Sequence, residues 1–150
     1  MQEDKRTQLM DLIINSIHYV LAMQDKYFKN GPFPQLSTSE MQVIEAVELE
    51  NEPTMSNVAN RLLVTTGSLT TATYKIIQKG FLTKKQASYD KRVALLTLTD
   101  LGKEAFKARN YFLKELEAII LKQITDSDYQ FVFETLRDIY SGLISHDWNQ

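Results

Sequence analysis

The chain has 150 residues, 43% of them hydrophobic and 24% charged, with a formal net charge of −2 and no cysteine. That length fits one domain able to bury a core, and the composition is too apolar for a disordered tail. Without cysteine, disulfides, thiolate metal sites, iron–sulfur clusters and thiol redox sensing are excluded; with a charged start and no apolar run near the roughly 18 residues of a membrane span, no signal peptide or transmembrane helix is expected, and a cytoplasmic protein is.

From about Asp4 to Phe28, the apolar residues Leu9, Leu12, Ile13, Ile17, Val20 and Leu21 recur at helical spacing, and Asn30-Gly31-Pro32 ends that helix. Ser37 followed by Glu40 is a capping box for a second helix, which turns Met41, Val43, Ile44 and Val47 inward. A polar loop closing on Pro53 precedes Thr54, which caps a short third helix over about Met55 to Leu63 with Val58, Ala59 and Leu62 buried. A fourth helix, about Gly67 to Lys79, has Leu69, Ala72, Thr73, Ile76 and Ile77 on its apolar side and Gly80 where a left-handed residue is wanted. Phe81 to Gln86 and Val93 to Leu98 read as strands joined by a tip, Ala87 to Arg92, in which nothing is expected to reach the core. After Thr99, a long helix runs through Leu101, Ala105, Ala108, Phe112, Leu116, Ile119 and Ile120. Thr125 to Asp128 then restart the register for a last helix from Tyr129 to near Ser145.

Helix, short turn, helix and hairpin in that order describe a winged helix-turn-helix, a DNA-reading module. Charge supports this. Between Thr54 and Leu98, Arg61, Lys75, Lys79, Lys84, Lys85, Lys91 and Arg92 face Asp90 alone; seven against one is +6, so the rest of the chain must carry −8 to reach −2. Such a segment can hold a polyanion while the remainder repels it. Ala59 supplies the small residue where the two helices cross, and Leu62, Val64, Leu69 and Ala72 are expected to form the core between them. The fourth helix then offers Thr66, Ser68, Thr70, Thr71, Tyr74 and Lys75 to phosphates and base edges in a major groove. Lys84, Lys85, Lys91 and Arg92 follow on the wing. Arg92 is a minor-groove candidate, with Asp90 expected to hold its guanidinium.

The first and the last two helices carry apolar stripes that a small winged module cannot cover, so a homodimer is expected through them, with a two-fold axis relating two recognition helices. No nucleophile with its base, paired carboxylates or metal set stands at a recognisable spacing, so no enzyme is expected. His18 and His146, near opposite ends, make a metal site unexpected, and no cofactor is indicated. The competing reading is a winged helix that binds protein and not DNA, which would have no need of the +6 segment.

Residues from about Leu36 to Gly102 resemble the MarR family of bacterial transcriptional regulators. The resemblance is carried by Met55 to Leu62, by Ser68-Leu69-Thr70-Thr71 leading to Ile76 to Leu82, and above all by Asp90-Lys91-Arg92-Val93 followed by Leu96 to Thr99 and Gly102. It implies a mainly α fold with a small β-hairpin wing, a winged helix-turn-helix lobe over 36–100 and helical dimerisation regions over 4–30 and 100–146, in a single domain of 1–150. It further implies a homodimer that binds double-stranded DNA at a pseudo-palindromic operator, usually as a repressor, and responds to a small anionic or phenolic ligand between the dimer helices and the DNA-binding lobe. Tyr19, Tyr27, Phe28, Phe33, Tyr111 and Phe112 stand either in the core or along such an effector cleft. Leu63 departs from the glycine usual in the turn, and Thr71 from a frequent arginine, so no base preference carries over. Leu63 to Thr71 is similar to repressors of fatty-acid synthesis genes, which acylated acyl carrier protein assists.

Overall fold

The structure, a computed structural model, describes residues 2–147; Met1 and 148–150, the ends of the expected 1–150 domain, lie outside the described residues. In chain order the elements are α1 (Gln2–Lys29), α2 (Thr38–Leu49), α3 (Met55–Arg61), α4 (Thr66–Gln78), β1 (Leu82–Gln86), β2 (Ala94–Leu98), α5 (Asp100–Leu121) and α6 (Asp126–Ser145). They fall into two compact units, Met1–Phe112 and Leu113–Gln150.

In the first unit, local chemistry sets the helix ends. The Ser37 hydroxyl accepts from the Glu40 N–H at 3.2 Å, while the Glu40 carboxylate accepts from the Ser37 N–H at 2.8 Å, the expected capping box. Thr54 and Thr65 cap α3 and α4 by accepting from Asn57 and Ser68. At the end of α4, Gly80 has φ +83°; its N–H donates to the Ile77 carbonyl, and that of Phe81 to Ile76. This closing motif consumes Phe81 and delays the first strand to Leu82. The same motif ends α3, where Leu63 donates to Asn60 and Val64 to Ala59, but here the left-handed residue is Leu63 at φ +55°. A leucine holds this conformation at a cost of about 1 kcal/mol that glycine would not bear.

The two strands pair antiparallel with Leu82 opposite Leu98 and Gln86 opposite Ala94. A two-stranded hairpin is marginal alone. This one is extended by the segment before α3, since the Leu96 N–H donates to the Pro53 carbonyl at 2.8 Å and Thr54 bridges Leu95. The core gathers Phe28, Met41, Ile44, Val47, Val58, Leu69, Ile76, Phe81, Leu82, Leu96 and Ala105, with Phe33 set edge-on against Phe81. Gly102 seats α5 on this core: a Cβ there would stand 2.1 Å from the Phe81 carbonyl oxygen. Thr99 completes the joint by donating its N–H to that carbonyl and its hydroxyl to Gly80, while accepting from Gly102.

Two core expectations are corrected. Val64 is 44% exposed, because the turn that starts at Leu63 swings it outward, leaving Ala59 and Leu69 buried with Leu62 and Ala72 partly buried. Ala87, in the tip, is 3% exposed, since its N–H pairs with the Val93 carbonyl and draws the small side chain inward.

In the second unit, α6 exposes Tyr129, Phe131, Phe133, Leu136, Ile139, Tyr140, Leu143 and Ile144, and buries none of its residues. Tyr129 and Phe133, one turn apart, stack at 6.2 Å.

Candidate nucleic-acid interface

All eleven residues expected at the DNA surface are exposed: Thr66, Ser68, Thr70, Thr71, Tyr74 and Lys75 on α4, and Lys84, Lys85, Asp90, Lys91 and Arg92 on the wing. The α4 face follows from its period, because Leu69, Thr73 and Ile76 point into the core and turn the intervening hydroxyls outward. Buried Thr73 is satisfied by donating its hydroxyl to the Leu69 and Thr70 carbonyls.

The hydroxyls are not equivalent. Thr70 donates to the Thr66 carbonyl at 2.8 Å and Thr71 to that of Gly67 at 3.4 Å, so both spend their proton inside the helix and present lone pairs and a methyl group outward. In that state they can accept from an exposed base amine or touch a thymine methyl. Ser68 instead accepts from the Thr65 hydroxyl at 2.9 Å and keeps its own proton to donate to a phosphate. Gly67, in the first turn, has no side chain to hold a phosphate away from the helix end.

The positive charge is more concentrated than the sequence implies. Lys79 donates to both Glu40 carboxylate oxygens at 2.7 and 2.8 Å and to the Gln35 carbonyl. Burial pushes the Glu40 carboxyl up, but the Lys79 and Ser37 hydrogen bonds and the Lys79 charge outweigh it and hold the group below the ordinary glutamate value. Arg61 is likewise engaged by Glu50 at 2.9 Å and by the Leu49 carbonyl. Two of the seven cations therefore brace the lobe. Lys75, Lys84, Lys85, Lys91 and Arg92 remain without an ion pair among the described residues.

One wing expectation changes. The Asp90 carboxylate accepts from the backbone N–H of Arg92 at 2.8 Å and does not hold its guanidinium, because the turn brings the carboxylate back onto the main chain and leaves the side chain to project alone. Lys84 pairs opposite Leu96 and Lys85 opposite Leu95, so the two lysines leave the hairpin on opposite faces.

The six aromatic residues do not form one group. Tyr27, Phe28 and Phe112 cluster with ring centroids 5.2 to 6.0 Å apart, and the Tyr27 hydroxyl donates to the Ala108 carbonyl. Phe33 stands apart on Phe81, while Tyr19 and Tyr111 are exposed. Sequence reasoning missed two further features. Arg109, 7% exposed, donates its Nε and Nη2 to Glu45 at 2.7 Å each, a tie between α5 and α2 that a separation of 64 positions hides from any local pattern. Tyr89, in the wing tip, hydrogen-bonds the Glu52 carboxylate in the loop before α3.

No family model matches the chain. It is 25% identical over 115 residues to the uncharacterized HTH-type transcriptional regulator YhjH of Bacillus subtilis (strain 168), a match covering 74% of this chain and 65% of that protein, so the chain spans just under two thirds of the relative's length. Among solved structures, FabT of Streptococcus pneumoniae in complex with DNA superposes with a TM-score of 0.85 at 22% identity, covering 92% of this chain and 96% of that one. MarR of Staphylococcus aureus in complex with salicylate and kanamycin gives 0.77 at 14% identity, covering 97% and 96%. The chain has the winged-helix fold of these regulators. Among the described residues no helix is long and apolar enough to cross a membrane.

Proposed function

We propose that this protein is a sequence-specific DNA-binding regulator of transcription, acting in the bacterial cytoplasm as a homodimer that represses from a pseudo-palindromic operator. The observation that carries the reading is the separation of cations within the lobe: Lys79 and Arg61 are tied down by carboxylates, whereas Lys75 on α4 and Lys84, Lys85, Lys91 and Arg92 on the wing are exposed and without an ion pair among the described residues. Unpaired cations suit a phosphate backbone, and the exposed hydroxyls and methyls of α4 suit base edges. That YhjH is described as a transcriptional regulator, and that FabT is seen on DNA, supports the same reading. The apolar stripes of α1 and α6 support the homodimer, which sets two recognition helices one DNA turn apart.

Regulation by a small aromatic or acyl ligand is part of the proposal. The partly buried Tyr27 and Phe112 rings, backed by the buried Phe28, would supply its apolar wall, and the salicylate bound to Staphylococcus aureus MarR supports the ligand class. An acylated acyl carrier protein is the alternative source of an acyl group.

Selection of bound sequences from random duplex DNA tests the function. The expected result is a two-fold symmetric site whose affinity falls steeply with salt, with a log–log slope no steeper than about −7 for eight phosphate contacts, four from each protomer, since Lys84 and Lys85 leave opposite faces. Absence of any enriched sequence would refute the reading.

A further inference from the structure

The wing tip carries Lys91 and Arg92, and a hairpin tip of this kind is ordinarily the most mobile part of a winged module. Its internal shape is well held. The Ala87 N–H donates to the Val93 carbonyl at 2.9 Å, that of Val93 to Asp90 at 3.0 Å, and that of Arg92 to the Asp90 carboxylate at 2.8 Å. None of these bonds fixes the direction in which the tip points. The bonds from Pro53 and Thr54 act on β2 at Leu95 and Leu96, below the tip. Among the described residues, the one hydrogen bond joining residues 87–93 to the rest of the lobe runs from the Tyr89 hydroxyl to the Glu52 carboxylate. Glu52 is itself fixed on α3, because its carbonyl accepts from the Thr54 N–H at 2.7 Å and from the Asn57 side chain at 2.9 Å.

We infer that Tyr89 and Glu52 form a strut that aims the wing tip, making them positioning residues for the Arg92 and Lys91 contacts with DNA. The role rests on the DNA-binding reading above and adds to it the means by which operator and random DNA are told apart. An arginine entering a groove must arrive at one place, whereas a lysine beside a phosphate tolerates several. A tip that wanders lowers the fraction of molecules ready for the groove contact, and the apparent affinity falls by that fraction. Both side chains are exposed, so the strut contributes little to global stability, and its loss should be felt in binding more than in folding.

The test compares the parent with Tyr89→Phe, Glu52→Ala, Glu52→Gln and the Tyr89→Phe/Glu52→Ala double variant on a selected operator and on random duplex, with backbone amide order parameters read across the hairpin. Tyr89→Phe should weaken operator binding by about 3- to 10-fold, the range one ordinary solvent-exposed hydrogen bond allows. Random-DNA affinity and the salt slope should stay unchanged, since no cation is lost. Order parameters should fall at residues 88–92 and hold at β1 and β2. Glu52→Ala should match Tyr89→Phe, Glu52→Gln should lose less because it keeps an acceptor, and the double variant should be no worse than either single one. Unchanged operator affinity, equal loss on both DNAs or additive losses in the double variant would overturn the strut. A parent with no preference for any DNA would bring down the regulator reading and this role with it, an outcome distinct from a discriminating parent matched by Tyr89→Phe.

Discussion

Helices α4 and α6 are both amphipathic, yet they meet water in opposite ways. The 13 residues of α4 bury Leu69, Thr73 and Ile76 and expose hydroxyls and a lysine; the 20 residues of α6 bury none and expose eight large apolar side chains. A buried apolar face with a polar one outward is a finished surface, available to a polar ligand such as DNA. An apolar face left in water is unfinished, and a second copy of the chain is the occupant that the two-fold reading supplies.

The contrast can be broken from either side. The largest effect is expected at Glu45, inside the finished region. Glu45→Ala strands the nearly buried Arg109 and should cost about 3–5 kcal/mol in denaturant unfolding; a loss below about 1 kcal/mol would mean the tie is dispensable. Charging the unfinished face should spare the fold and remove the assembly. Leu136→Asp with Leu143→Asp should convert a dimer to a 17.3 kDa species in sedimentation at micromolar concentration and weaken operator binding by about 100-fold, or roughly 3 kcal/mol. On the DNA-facing side, Arg92→Ala should weaken operator binding by roughly 1–3 kcal/mol with the dimer intact, and Arg92→Lys should restore only part of it. Because Lys84 and Lys85 leave opposite faces, only one of the two alanine variants should lower the salt slope, by about two units, one phosphate contact being lost from each protomer.

Two smaller effects sharpen the account of the lobe. Glu40→Gln should cost about 1 kcal/mol at neutral pH through its bond to Lys79. The Glu40 carboxyl is held below its unfolded value, so its contribution is present above the ordinary glutamate range and lost as pH falls through the folded value. The gap between parent and variant should therefore narrow in acid unfolding as pH falls below the ordinary glutamate range. Leu63→Gly should raise stability by about 0.5–1 kcal/mol, because the side chain is 78% exposed and its φ of +55° suits glycine.

What the sequence made legible is what neighbours in the chain decide. The Ser37–Glu40 capping box, the left-handed Gly80 and the outward hydroxyls of α4 each depend on residues within about one helical turn. What it hid depends on distant partners or on the local path of a turn. Lys79 and Arg61 count toward the segment's +6 until Glu40 and Glu50 are seen beside them, and Arg109 cannot be matched to Glu45 from spacing. Asp90 sits two residues from Arg92, but only the tip's geometry sends its carboxylate to the backbone N–H and leaves the guanidinium free. Val64 and Ala87 exchanged their expected environments for the same reason: one turn throws a side chain out and the other draws one in.

Hydroxyl-radical footprinting of the selected operator tests the central claim most directly, because it reads both faces at once. Two equivalent protected patches, related by a two-fold axis with centres about 10 base pairs or a multiple of that apart, are expected if α4 meets DNA and the apolar helices hold a second copy. A single asymmetric patch at saturating protein, or protection spread evenly along the duplex, would contradict it.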